Sequence, residues 1–120
     1  MFARISGLTA LAKHYPALSR PEGVERARQT VKVGVVRYRR CVTLVVSSSG
    51  LYLWVRPVLS RYTSVLIPWR EVREILPTRL YGRRAVRLSI GNPEVGAVIV
   101  YEALFKVIQP HLDVRFQDHS

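Results

Sequence analysis

Residues 41 to 55 read CVTLVVSSSGLYLWV and carry the clearest structural pattern in the chain. Val42, Leu44 and Val46 occupy alternate positions before the serines, and the same two-residue period resumes after Gly50. Because successive side chains of a strand point to opposite faces, this pattern predicts two strands joined as a hairpin. The stretch is uncharged, but its polar turn leaves it short of the ~20 continuous apolar residues of a transmembrane helix.

The segment before this hairpin predicts a half-exposed first strand. Ala27, Val31 and Val33 are expected to face the core, while arginine and lysine side chains occupy intervening positions on the other face. Gly34 can end this strand. Residues 34 to 40 are therefore predicted to form a connecting loop that carries three arginines.

The segment after the hairpin predicts the remaining strands. Residues 57 to 63 are predicted to be a loop, and Pro68 in the short strand that follows indicates a sheet edge, because proline cannot donate to a strand ladder. Gly82 divides residues 77 to 91 into a second hairpin, and residues 96 to 100 form the last strand. The inward residues of the second hairpin are expected to be Val86, Leu88 and Ile90.

Apolar residues at helical spacing predict a short helix at each end, over residues of about 4–15 and about 101–109, where Pro110 stops the pattern. The start of the chain lacks the unbroken apolar segment of a signal peptide, although an interfacial anchor or transit peptide is an alternative to a capping helix. The prediction is a mainly β (α+β) fold in a single domain, residues 1–120. Its strands, over about 24–100, form one antiparallel barrel or two bent sheets of six to seven strands.

Three motifs carry a family resemblance. They are Ser6-Gly7 with Leu11-Ala12 and Tyr15, then Gly50-Leu51-Tyr52-Leu53, and then Leu66-Ile67-Pro68-Trp69-Arg70-Glu71-Val72. In this order they resemble small bacterial proteins with a pleckstrin-homology-like (PH-like) or GRAM-like β-barrel, a group with no assigned role. The resemblance implies seven antiparallel strands in two bent sheets closed by a C-terminal helix. It also implies a binding scaffold, since eukaryotic relatives bind phosphoinositides or peptides.

Basic residues are concentrated in the predicted sheet. The 120 residues have a formal net charge of +11, and residues 26 to 87 hold fourteen basic and two acidic side chains. The resemblance places phosphate-binding side chains in the first inter-strand loop, and arginine binds phosphate oxygens bidentately. The predicted anion-binding residues are Lys32, Arg37, Arg39 and Arg40, with a secondary basic patch at Arg79, Arg83 and Arg84. A compositional preference for arginine, without any ligand, would give the same excess.

The sequence leaves three binding functions open. The first is recognition of an anionic membrane surface or an acidic protein segment through the basic face. The second is single-stranded nucleic-acid binding, because aromatic residues lie next to arginines in the sequence; these aromatics are Tyr38, Trp54, Tyr62, Trp69 and Tyr81. The third is protein docking or homodimerisation along a sheet edge.

The sequence predicts no enzyme. No nucleophile, phosphate-binding or dinucleotide motif is present, and His14, His111 and His119 are not at metal-ligand spacing, so no catalytic residues, metal, cofactor or small-molecule substrate are predicted. The single cysteine, Cys41, excludes an intramolecular disulfide and is expected to be a buried, inert thiol. A cytoplasmic location is predicted, with peripheral attachment to a membrane.

Overall fold

A computed structural model describes residues 7–17, 19–55 and 64–116. Helix α1 (Gly7–His14) comes first and helix α2 (Glu102–Phe116) comes last. The strands between them are β1 (Val24–Val33), β2 (Val36–Val46), β3 (Gly50–Val55), β4 (Ser64–Pro68), β5 (Val72–Leu80), β6 (Arg83–Ile90) and β7 (Gly96–Tyr101). A one-turn 3₁₀ helix, Trp69–Glu71, joins β4 directly to β5. The predicted loop at residues 57–63 lies outside the described residues.

The seven strands form one antiparallel sheet in the order β4-β3-β2-β1-β7-β6-β5. The sheet curls into a half-barrel, so the predicted mainly β, barrel-like fold with a helix at each end is confirmed. The central hairpin is also confirmed, since Val42 pairs with Val55 and Val46 pairs with Leu51 across β2 and β3. Gly50 lies so close to β4 that a Cβ atom there would stand 2.3 Å from the carbonyl oxygen of Ile67.

The core fills the inner face of the curled sheet. Both helices contribute to it, because Leu11 of α1 and Ile108 of α2 are fully buried with the inner side chains of the strands. Val86, Leu88 and Ile90 are buried there, as the alternation predicts. Ala27 is instead exposed, like every residue from Val24 to Arg28, because this half of β1 pairs with β2 but lies beyond the residues of β1 that pair with β7.

The predicted loop over residues 34–40 is wrong. Val33 pairs with Val36, so the turn between β1 and β2 contains only Gly34 and Val35. Gly34 has a φ of 63°, and glycine at the first position of a two-residue turn reverses the chain at little steric cost. The arginines assigned to the loop therefore lie on β2.

Helix α2 extends past Pro110 to Phe116, so the predicted end at residue 109 is wrong. A proline inside a helix removes one backbone hydrogen bond and crowds the preceding turn. Packing outweighs that cost here, because Leu112 is fully buried in the same core as Leu104 and Ile108 on the other side of the proline.

The prediction that Pro68 marks a sheet edge is confirmed, because β4 is an outermost strand. The other outermost strand, β5, also contains a proline, Pro77. Trp69 lies at the corner where the chain passes from one edge strand to the other. Its indole Nε1 donates a hydrogen bond to the Ser47 carbonyl oxygen at 2.8 Å, and its ring stacks on His111 with centroids 5.0 Å apart.

Tyr15, the residue after α1, forms a hydrogen bond to Glu71 of the 3₁₀ helix. We expect this hydrogen bond to make the stability of the fold depend on pH in the alkaline range. The Tyr15 hydroxyl donates to Glu71 Oε1 at 2.8 Å. Burial raises the pKa of Tyr15 above its ordinary value of 10.0, and the hydrogen bond to Glu71 raises that pKa further. Because the pKa of Tyr15 is higher in the folded state than in the unfolded chain, protonated Tyr15 stabilises the folded state. This contribution is fully present below a pH of about 10 and is lost as the pH rises through the folded-state pKa.

Urea unfolding of the wild type and of Tyr15→Phe across the alkaline range measures this effect. Near neutral pH the wild type should be more stable by about 1 kcal/mol, the usual contribution of such a hydrogen bond. That difference should narrow above pH ~10, where the tyrosine loses its proton. A difference that stays constant through the alkaline range would contradict the assignment to Tyr15.

Candidate anion-binding surface

The face of the sheet opposite the core carries a row of basic side chains. Side chains that pair across neighbouring strands lie on the same face of a sheet. Arg37 pairs with Lys32, Lys32 also pairs with Ile99, and Ile99 pairs with Arg87. The row thus crosses β2, β1, β7 and β6. Arg87 is neutralised within it, because its guanidinium donates to Glu94 at 3.1 Å and to Ser89 at 2.7 Å.

Two tyrosine rings hold three arginines on this face. The Cζ atoms of Arg37 and Arg39 lie 5.6 and 5.1 Å from the centroid of the Tyr81 ring. The Cζ atom of Arg83 lies 4.2 Å from the centroid of the Tyr101 ring. A guanidinium that stacks through its face keeps its N–H edge free for an acceptor. These contacts therefore orient the arginines without occupying their hydrogen-bond donors.

We call the group formed by Lys32, Arg37, Arg39, Tyr81, Arg83 and Tyr101 the basic surface. The ion pairs among the described side chains are Arg20–Glu25, Arg70–Glu71 and Arg87–Glu94. None of them involves a cation of the basic surface. Within the described part of the chain, no carboxylate forms an ion pair with these cations, and the carboxylate that shares a recess with one of them is Glu102, beside Arg83.

A small apolar cluster supports the basic surface from the same side of the sheet. Leu80, Ala85 and Ile99 are buried there, and Tyr101 packs against them. This cluster is separate from the main core on the inner face. Because close-packed side chains have restricted motion, the cluster fixes the tyrosine on which Arg83 lies.

Two exposed side chains give the basic surface an apolar component, Val35 at its border and Tyr81 within it. Val35, at the turn between β1 and β2, is 86% exposed, and Tyr81, at the turn between β5 and β6, is 48% exposed. Val35 is two residues from Arg37, and Tyr81 lies against Arg37 and Arg39. The surface therefore combines free cations with side chains that can enter an apolar environment.

The structure brings together three of the four predicted anion-binding residues. Lys32, Arg37 and Arg39 lie on the basic surface, whereas Arg40 lines a neighbouring cleft together with Arg28 and Trp54. The separation arises at a bulge in β2, where Arg40 has a φ of 55° and leaves the strand alternation.

The residues of the secondary patch line two adjoining recesses. Arg83, which belongs to the basic surface, lines a recess of about 230 Å³ together with Arg84. Arg84 and Arg79 line a wider recess of about 690 Å³, and Glu102 lines both. Sequence reasoning did not assign Tyr101 to the site. It noted Tyr81 only as a neighbour of Arg79 and Arg83, but the arginines on its ring come from β2. No sequence spacing links residues 81 and 37, because the contact forms only when the sheet curls.

Two of the aromatic residues next to arginines serve in packing. Trp69 is buried and Tyr38 packs against the main core, whereas Trp54 is half-buried and lines the cleft that contains Arg40. Tyr62 lies outside the described residues. Tyr81 is exposed, and two arginines already lie against its ring. Single-stranded nucleic-acid binding, which needs open aromatic faces, stays a prediction.

Cys41 is exposed, so the expectation that it is buried is wrong. Its position on the bulged part of β2 places it at the surface. Partial burial of the thiol nevertheless raises the pKa of Cys41, which favours the neutral form of the group. Over residues 7–17, 19–55 and 64–116, no three histidine, cysteine, aspartate or glutamate side chains are grouped to hold a metal ion.

Comparison with protein-family models, curated proteins and solved structures finds no match for this chain. Neither described helix has the combination of length and apolar character needed to span a bilayer. The basic surface is therefore interpreted from its own residues.

Proposed function

We propose that this protein is a non-enzymatic module that binds anionic membrane surfaces through the basic surface, at the cytoplasmic side. The observation that carries the proposal is the group of arginines held on Tyr81 and Tyr101 without a carboxylate partner among the described side chains. A basic group near an anionic leaflet contributes about 1 kcal/mol of binding free energy. The lysine and three arginines of the surface therefore supply an attraction of several kcal/mol.

Val35 favours a membrane over an acidic protein segment as the partner. A valine that is 86% exposed on a hairpin turn, with Lys32 and Arg37 beside it, matches a site where an apolar tip enters the lipid headgroup region and cations remain outside. An acidic segment in water would attract the arginines but would leave Val35 without a role.

The family resemblance supports the same function. The chain has four strands in one meander, three in a second and a closing helix, which are the strand number and closing helix expected of a PH-like domain, here in one curled sheet instead of two. We propose that the chain is a bacterial member of the PH-like or GRAM-like group. Such folds serve as binding scaffolds, and the basic surface supplies the chemistry for an anionic partner.

Vesicle flotation tests the proposal. The protein should float with vesicles of phosphatidylcholine and phosphatidylglycerol, should stay behind with vesicles of phosphatidylcholine alone, and should detach as salt screens the charges. Val35→Asn should weaken the binding about fivefold, since part of an apolar side chain no longer leaves water. Val24→Asn is the matched control, because Val24 is an exposed valine elsewhere on β1.

Equal flotation with both kinds of vesicle would contradict an electrostatic docking surface. Binding to a single-stranded oligonucleotide or an acidic peptide, without binding to the anionic vesicles, would assign the basic surface to a different partner. If Val24→Asn and Val35→Asn weaken vesicle binding equally, insertion of Val35 into the headgroup region does not contribute to binding.

A further inference from the structure

A second basic site lies beside the basic surface, in a cleft of about 380 Å³ between β1, β2 and β3. We call it the bulge cleft. Its lining residues are Ala27, Arg28, Arg40, Cys41, Thr43 and Trp54. Its volume falls in the range of sites for small molecules. None of its residues belongs to the basic surface, so the inference does not depend on membrane binding.

Two β-bulges form this cleft. Arg26 pairs with Leu44 and Gln29 pairs with Val42, so Ala27 and Arg28 together stand opposite the single residue Thr43. The next pair, Val31 with Tyr38, leaves three residues of β2 opposite the single residue Thr30. Each bulge redirects an arginine toward the same space, which a regular ladder would not do.

Both arginines adopt a backbone conformation that is unfavourable for them. Arg28 and Arg40 each have a φ of 55°. In this left-handed region a side chain crowds the backbone, and glycine and asparagine are accepted more readily than arginine. Tyr81 is the third non-glycine residue of this kind in the described ranges, and it lies on the basic surface. Strain of this kind persists at sites where function requires the side chain.

The bulges are held in place by hydrogen bonds. The backbone N–H of Arg40 donates to Thr30 Oγ1 at 3.1 Å, and Gln29 Nε2 donates to the carbonyl oxygen of Ala27 at 3.0 Å. These bonds fix the backbone on both sides of the cleft. The backbone that carries the two arginines is thus positioned before any ligand arrives, which lowers the entropy that binding must remove.

The walls of the cleft complement an anion with an apolar part. No carboxylate lines the cleft, and neither Arg28 nor Arg40 forms an ion pair with a described side chain. Trp54, half-buried and paired with Thr43, supplies an aromatic wall. Trp54 is itself one of the lining residues, so part of its side chain faces the space between the two arginines.

We propose that the bulge cleft binds the phosphate group of a small phosphate monoester, with Arg28 and Arg40 as its ligands and Trp54 against the rest of the molecule. Arginine forks match phosphate oxygens bidentately, and two of them that line one cleft from neighbouring strands can share a single phosphate. A nucleotide and a sugar phosphate share this chemistry and differ in whether a planar ring reaches Trp54.

Asparagine substitutions give a test in which binding and stability should move in opposite directions. Arg28→Asn and Arg40→Asn should each weaken the binding of AMP about tenfold or more, because each removes a charged hydrogen-bond donor. In phosphate-free buffer both variants should raise the melting temperature, since asparagine is more compatible with a positive φ. Arg73→Asn, at an exposed position of β5, is the control. It should change AMP binding little and should not raise the melting temperature.

Calorimetric titration of the full chain with AMP, ribose 5-phosphate and adenosine distinguishes a nucleotide from a sugar phosphate as the ligand. Tighter binding of AMP than of ribose 5-phosphate assigns a role to Trp54 and favours a nucleotide, whereas equal binding favours a sugar phosphate. Cys41, the single cysteine, reports whether the ligand binds in the bulge cleft, because a ligand bound there should slow the alkylation of Cys41 by iodoacetamide. Each of four results would overturn the proposal. Neither AMP nor ribose 5-phosphate binds, adenosine binds as tightly as AMP, the ligand does not protect Cys41 from alkylation, or the asparagine variants bind AMP with full affinity.

Discussion

Replacement of Arg37 and Arg39 together by glutamate is expected to abolish binding to vesicles that contain phosphatidylglycerol. Loss of two cations near the leaflet removes about 2 kcal/mol, and repulsion of the two new carboxylates adds a similar amount, so the affinity should fall about a thousandfold. Both side chains are exposed on β2, so the fold should not change. Vesicle flotation, together with an unchanged circular dichroism spectrum, measures the result.

Two further variants separate charge at this site from overall charge. Arg26 and Arg73 are exposed and lie outside the basic surface, so the double change to glutamate there alters the net charge equally and should weaken binding much less. Arg37→Lys and Arg39→Lys keep the charge but remove the guanidinium groups that lie over the Tyr81 ring. If the two glutamate pairs reduce binding equally, the protein responds to its net charge and the basic surface is not a site.

Replacement of Trp69 by alanine is expected to destabilise the fold far more than substitution of an exposed side chain. The indole is 9% exposed, bonds to the Ser47 carbonyl and stacks on His111 of α2. Truncation of a buried tryptophan typically costs about 3–5 kcal/mol, because it leaves a cavity as well as removing apolar contacts. Urea unfolding should show a large decrease in the midpoint.

Trp69→Phe isolates one part of this effect. Phenylalanine keeps an aromatic ring at the corner but cannot donate to the buried Ser47 carbonyl, so it should cost about 1–3 kcal/mol. A change of less than ~1 kcal/mol for alanine would show that the corner between β4 and β5 does not depend on this side chain. Equal losses for phenylalanine and alanine would assign the whole effect to the hydrogen bond.

The sequence predicts those parts of the fold that follow from a local period. Between residues 41 and 55, the two-residue period of the side chains continues on both sides of a serine-rich turn. The two strands pair across that turn as this period predicts. Pro68 also carries local information, since a residue without an N–H group is compatible with an edge strand. The basic character of residues 37 to 40 is equally visible in the sequence, because it needs no knowledge of neighbours.

The remaining features depend on contacts between distant residues. A bulge is not visible in a strand of valines, threonines and arginines, so the diversion of Arg40 does not follow from the alternation. The exposure of Ala27 depends on how far β7 extends beside β1. Helix α2 continues through Pro110 because of the burial of Leu112, which only the sheet beneath provides. The contact of Arg39 with Tyr81 likewise needs the curl of the sheet.

The strand order also has a consequence for how the chain reaches its native state. In the sheet that the structure describes, every neighbouring pair of strands is consecutive in sequence except β1 and β7, which meet through Val31–Val100, Lys32–Ile99 and Val33–Val98. Consecutive strands can associate early, since closing a short loop costs little entropy, whereas the β1–β7 contact joins distant parts of the chain. We therefore expect two independently nucleated meanders whose late docking along β1 and β7 limits the rate of folding.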